Sequence, residues 1–131
     1  AALKRLSRYP LADIETDSAT GPSAGASIVL VGKFENARLG ASALGEKALP
    51  AERVGEMAAD ALVESIESNE TLDEHASDQI IPFLFLAKGR SVFKTSELTM
   101  HASTNISVAQ QFISRKVVSE EEDGSVRLSV G

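Results

Sequence analysis

The chain has 131 residues, and its 13 basic against 19 acidic side chains leave a net charge of −6 at neutral pH. That balance argues against gripping a phosphate backbone with the molecule as a whole, so any nucleic-acid contact falls to a local patch. The absence of cysteine excludes disulfides, thiolate metal sites and cysteine nucleophiles, and with five Phe, one Tyr and no Trp the core must rest on Ala, Val, Leu and Ile.

The length fits one ordinary domain or two small ones with thin cores. Residues 3–9 predict a short helix, with Leu3 and Leu6 inward and Lys4, Arg5 and Arg8 outward, stopped by Pro10. This basic start lacks an initiating Met and the apolar stretch of a targeting peptide, and reads as the first helix of a cut-down chain. DIETD (13–17) is a weak, highly charged strand, and TGPSAG (20–25) is a loop. ASIVLVGKFE (26–35) carries the strongest β signal. Asn36 and Ala37 connect it tightly to a second strand, RLGASALGEK (38–47), where Gly40 marks a bulge or a close backbone approach.

The best helix is PAERVGEMAADALVESIES (50–68), with Pro50 at its first position. Val54, Met57, Ala58, Ala61, Leu62 and Ile66 form its predicted apolar stripe. SNETLDE (68–74) is the candidate domain boundary. Beyond it, ASDQIIPFLFLAKG (76–89) reads as a buried helix closed by Lys88 and Gly89, and SVFKTSEL (91–98) alternates like a strand. STNISVAQQFIS (103–114) has helical spacing. KVVSEEE (116–122) and SVRLSV (125–130) flank Asp123-Gly124, a turn-favouring pair, and predict a hairpin. The order is αβββα, then αβαββ, an α+β fold. The longest apolar run, IIPFLFLA (80–87), contains Pro82 and is too short to cross a bilayer, so no membrane partner is expected.

Two clusters carry candidate chemistry. His101 is placed at a strand-to-helix turn, beside helix N–H groups where an anion is welcome. A neutral imidazole facing a bound phosphate is a phosphoryl or nucleotidyl acceptor. The plainer reading is a loop histidine, with Ser103 or Thr104 capping the helix. In DEHASDQ (73–79), Asp73, Glu74, His75 and Asp78 have the chemistry of metal ligands, yet acidic residues at a helix start are ordinary complements to its dipole, and no metal site is assigned. Pro82, four residues beyond Asp78, has no N–H for the Asp78 carbonyl and leaves polar backbone free at that point. GASALGEK (40–47) lacks the lysine of a phosphate-binding loop, SEEED (119–123) is a solvated hairpin end, and no GxSxG elbow supports a serine nucleophile.

Three co-linear blocks, GASALGEKALPAERVGE, DEHASDQIIPFLFLA and HASTNISVAQQF, resemble the C-terminal part of RNA 3′-terminal phosphate cyclase, with greatest similarity to archaeal forms, through essentially the whole chain. The resemblance implies an enzyme that uses ATP with Mg2+ or Mn2+ to adenylylate a histidine, passes AMP to an RNA 3′-phosphate, and closes a 2′,3′-cyclic phosphate. The family's H-x-x-T-N block falls on His101, Thr104 and Asn105. Its Asp-Gln pair near bound adenosine falls on Asp78 and Gln79, and His75 occupies a neighbouring position suited to stacking or ribose contact. By the same resemblance, residues 1–70 form most of a thioredoxin-like inserted domain and 71–131 the last part of the catalytic large domain.

The family's Gly-rich signature and the N-terminal Arg, Glu and Gln residues of its ATP site have no counterpart in these residues. The implied partners are therefore RNA 3′-phosphate ends and the N-terminal part of the same protein, in the cytoplasm, with association into a homo-oligomer as another way to cover exposed apolar surface. The alternative is a non-catalytic cyclase-like module in ribosome assembly or RNA–protein interaction. An unrelated α+β binding domain is the third reading.

Overall fold

The structure, a computed structural model, describes residues 1–10 and 13–131. In chain order the elements are α1 (Ala2–Arg5), β1 (Ser27–Lys33), β2 (Arg38–Leu44), α2 (Ala51–Glu67), α3 (Glu74–Leu86), β3 (Ser91–Thr95), α4 (Met100–Phe112), β4 (Val117–Glu122) and β5 (Ser125–Val130). The fold is α+β, with two antiparallel sheets among the described residues. The chain divides into one unit of Ala1–Val31 with Gly40–Val63 and another of Gly32–Leu39 with Glu64–Gly131.

β1 and β2 pair as a two-stranded sheet. The Phe34 amide bonds Ala37 O at 3.0 Å, and at the other end the Gly45 amide bonds Ala26 O at 2.7 Å, the pattern of an antiparallel hairpin. Gly45 suits that approach, because a Cβ there would stand only 3.2 Å from Ala26 O. The expected strand at 13–17 is absent; those residues are exposed and irregular. Three carboxylates in five residues have no apolar face to bury, so nothing favours pairing them into a sheet.

The helix α2 covers one face of this hairpin through Val54, Ala58 and Ala43, with Ile28, Leu30 and Leu49 packed around them. Its buried residues are Val54, Gly55, Ala58, Ala59 and Leu62, whereas Met57 and Ala61 are exposed. The stripe is thus rotated from the expected one. Gly55 and Ala59 enter it, and at Gly55 the lack of a side chain permits close approach, since a Cβ there would lie 3.3 Å from the Ala2 nitrogen. The expected first helix shrinks to four residues.

At the end of α2, Asn69 takes a left-handed φ of 54°. The Glu70 amide reaches back to Ser65 O at 3.2 Å and the Asn69 amide to Ile66 O at 3.1 Å, a Schellman cap with Asn in place of Gly.

The second unit is built on a sheet of order β3-β5-β4, in which Phe93 faces Leu128 and Val130 is shared by Ser91 and Val117. Both outer strands run antiparallel to β5, hence parallel to each other. The chain passes from β3 through α4 to β4, and β5 then inserts between them, a split βαβ arrangement. Asp123 (φ 50°) and Gly124 (φ 77°) form the expected two-residue turn of the β4–β5 hairpin. One sheet face packs Phe93, Leu128 and Val130 against Ile81 and Phe85 of α3 and Ile106 of α4. Alternation turns the intervening residues to the opposite face.

Candidate active site at the paired helix starts

Each helix of the second unit begins with a side-chain cap. Asp73 accepts from the Ala76 amide at 2.9 Å to open α3, and Thr99 accepts from the Ala102 amide at 3.1 Å to open α4. The two helices start at the same end of the unit, because a side chain from the first turns of α4 and its cap both reach the second turn of α3. Thr99 Oγ1 donates a short hydrogen bond to Asp78 Oδ1. Asn105 Nδ2 donates to the Asp78 carbonyl at 3.0 Å.

That second bond answers to Pro82. The Asp78 carbonyl is four residues before a proline and so has no amide partner in its own helix. Asn105 supplies the missing donor from the neighbouring helix. The freed backbone group expected from the sequence is therefore occupied by this chain's own side chain. At the opposite end, the Arg115 guanidinium bonds Gly89 O at 2.9 Å and also Ala87 O, pinning the segment after α4 to the segment after α3.

His101 is the second residue of α4, exposed, and not in the preceding turn as the sequence indicated. The helix starts three residues earlier than expected, because Ala102 and Ile106 are both buried and Thr99, rather than Ser103 or Thr104, is the cap. Thr104 is exposed, its hydroxyl donating to Met100 O at 2.8 Å. On α3, His75 and Gln79 are exposed one turn apart, and His75 Nε2 stands 3.7 Å from Glu74 Oε1. Among the expected site residues, Asp78 and Asn105 come into direct contact. His75, Gln79, His101 and Thr104 sit exposed in the first turns of the two joined helices.

Sequence reasoning missed Thr99, although a threonine three residues ahead of a buried alanine is a cap signal. It also missed Arg115, for which no local pattern exists. Among the described residues no three His, Asp or Glu side chains converge to hold a metal ion.

Just after α2, Glu70 is only 6% exposed, and its Oε2 has no hydrogen-bond partner among the described residues. Burial pushes its carboxyl above the usual range; the Ser65 and Ser96 hydroxyls pull it back, and the charges of Asp73 and Glu64 raise it further.

Fold and site together define an α+β chain whose second unit presents two helix starts joined through one aspartate. Residues 1–67 match the family model described as RNA 3′-terminal phosphate cyclase (RTC), insert domain. Proteins named RNA 3′-terminal phosphate cyclase are similar along most of the chain. The one from Methanosarcina barkeri is 42% identical over 132 residues, covering 99% of this chain and 38% of its own length. The one from Nitrosospira multiformis is 44% identical over 117 residues, covering 86% and 33%. The one from Methanopyrus kandleri is 40% identical over 127 residues, covering 92% and 36%. The chain belongs to the RNA 3′-terminal phosphate cyclase family, and it spans 38% or less of these three relatives.

Proposed function

We propose that this chain contributes the nucleophile-bearing part of a cytoplasmic enzyme that converts RNA 3′-phosphate ends to 2′,3′-cyclic phosphates with ATP. Residues 1–70 serve as its inserted domain and 71–131 as the end of its catalytic domain. The observation that carries this reading is the accessible His101 in the first turn of α4, where unpaired helix amides favour an anion.

In the proposed reaction an unprotonated ring nitrogen of His101 attacks the α-phosphorus of ATP, and the bond to pyrophosphate breaks. An RNA 3′-phosphate oxygen then takes the adenylyl group and releases the histidine. The adjacent 2′-hydroxyl, held by covalent proximity, attacks the 3′-phosphorus, loses its proton and expels AMP.

Asp78 and Asn105 act in this scheme chiefly as the joint that holds the start of α4 against α3, since Thr99 and Asn105 already engage Asp78. His75 and Gln79 are then the α3 groups open to adenosine, and Thr104 lies one turn beyond His101. A divalent ion bound with the nucleotide would neutralise charge on the leaving group.

The test is intact mass of the full-length protein after incubation with ATP and magnesium, beside His101→Ala. An acid-labile AMP adduct that disappears in the variant is the expected result. ATP binding without any adduct would overturn it in favour of a non-catalytic interaction module.

A further inference from the structure

We propose that the face of the β3-β5-β4 sheet turned away from α3 and α4 is a docking surface for the sugar–phosphate backbone of single-stranded RNA. The choice of RNA over another polyanion rests on the function proposed above; the surface itself is read from the sheet. Phe93, Leu128 and Val130 point into the core, so alternation places Lys94 and Arg127 on the opposite face. The pairing continues one row past the strand ends, where Lys116 and Gly131 exchange backbone hydrogen bonds at 2.8 and 3.0 Å. Arg90 flanks Gly131 on its other side: a Cβ on Gly131 would meet Arg90 Cγ at 3.2 Å, so the arginine stem lies across the glycine.

Arg90, Lys94, Lys116 and Arg127 thus share one sheet face in a chain whose net charge is −6. Two carboxylates lie with them: Glu120, opposite Arg127 on β4, and Glu122, 3.5 Å from the Arg127 guanidinium. Lys94 and Arg127 are direct cross-strand partners, a like-charge pairing that costs stability unless an anion bridges it. Gly131 keeps the floor low between Arg90 and Lys116, and a row of Val92, Ser129 and Val118 separates that pair from Lys94 and Arg127. No aromatic residue among the described ones lies on this face, so the surface can hold phosphates without stacking bases, and binding should be indifferent to base sequence.

The experiment is fluorescence anisotropy of a 3′-hydroxyl RNA dodecamer with the full-length protein, titrated across roughly 50–200 mM salt. Affinity should fall as salt rises. Arg90→Gln/Lys116→Gln and Lys94→Gln/Arg127→Gln should each weaken binding about tenfold at low salt. Each should also flatten the log–log salt slope by about 1.4, about 0.7 for each phosphate that is no longer neutralised. Lys94→Arg/Arg127→Lys should retain wild-type binding, which separates lost charge from lost fold.

Unchanged affinity and slope in the Gln variants would overturn the proposal. So would absence of RNA binding by the wild type, or equal binding of a poly-glutamate peptide, which would make this a surface for acidic protein. This assay uses RNA without ATP, whereas the adduct assay uses ATP without RNA, so either reading can fail alone.

Discussion

The bond from Asn105 to the Asp78 carbonyl should be energetically tied to Pro82, and a double-mutant cycle can measure that tie. In the native chain, Asn105→Ala removes the donor that serves a part-buried carbonyl whose own helix cannot serve it. Leaving such a group unsatisfied costs about 1–3 kcal/mol. In a Pro82→Ala background the amide of residue 82 becomes available to that carbonyl, so the same Asn105→Ala change should cost only about 0.5 kcal/mol. The expected coupling is therefore about 0.5–2.5 kcal/mol, at or beyond the few tenths within which independent sites add.

Pro82→Ala alone should stabilise α3, since proline inside a helix is up to about 3 kcal/mol worse than alanine. Native-state amide hydrogen exchange within α3 and α4 is the suitable assay, because it reports on these helices locally. Asn105→Ala should lower protection there roughly 5- to 150-fold in the native background, and about threefold or less beside Pro82→Ala. Equal losses in the two backgrounds would refute the idea that Asn105 stands in for the amide Pro82 lacks.

Two further outcomes follow from the same region. Glu70 has a folded-state carboxyl raised chiefly by burial, so the folded state favours its protonated form. Its favourable contribution is full below the unfolded-state value, about pH 4.3, and is lost as pH rises through the raised folded value. Glu70→Gln should therefore be more stable than the native chain at pH 7 and show no such advantage near pH 4; in urea titrations, an equal difference at both pH values would contradict this. Thr99→Val removes both the cap of α4 and the tie to Asp78 while keeping side-chain shape. It should cost about 0.5–2 kcal/mol and speed exchange of the Ala102 amide, with Thr99→Ser restoring most of the loss; no recovery with serine would mean the methyl group, not the hydroxyl, matters.

The sequence by itself determined the elements whose causes are local. The turn at Asp123-Gly124 could be read because those two residues tolerate the positive φ that a tight hairpin demands. The strand β1 was legible from its β-branched run, α2 from apolar periodicity with Pro50 at its start, and α3 from an apolar stretch closed by Lys88 and Gly89. The unpaired Asp78 carbonyl also followed from the covalent chemistry of Pro82.

Tertiary structure decided the rest. Periodicity says that a helix has an inner face, but Gly55 and Ala59 turn inward in place of Met57 and Ala61, and at Gly55 the close approach of Ala2 favours the smallest residue. A charged segment such as 13–17 becomes a strand only if a partner accepts it, and none does among the described residues. His101 is a helix residue rather than a turn residue because Ala102 and Ile106 are buried and Thr99 finds both an amide to cap and a carboxylate to hold. That Asp78 meets Thr99 and Asn105, more than twenty residues away, and that four cations share one sheet face, depends on how β5 inserts between β3 and β4 and how the helices pack. Such pairings are set by the burial of several elements at once, and no local stretch of sequence contains them.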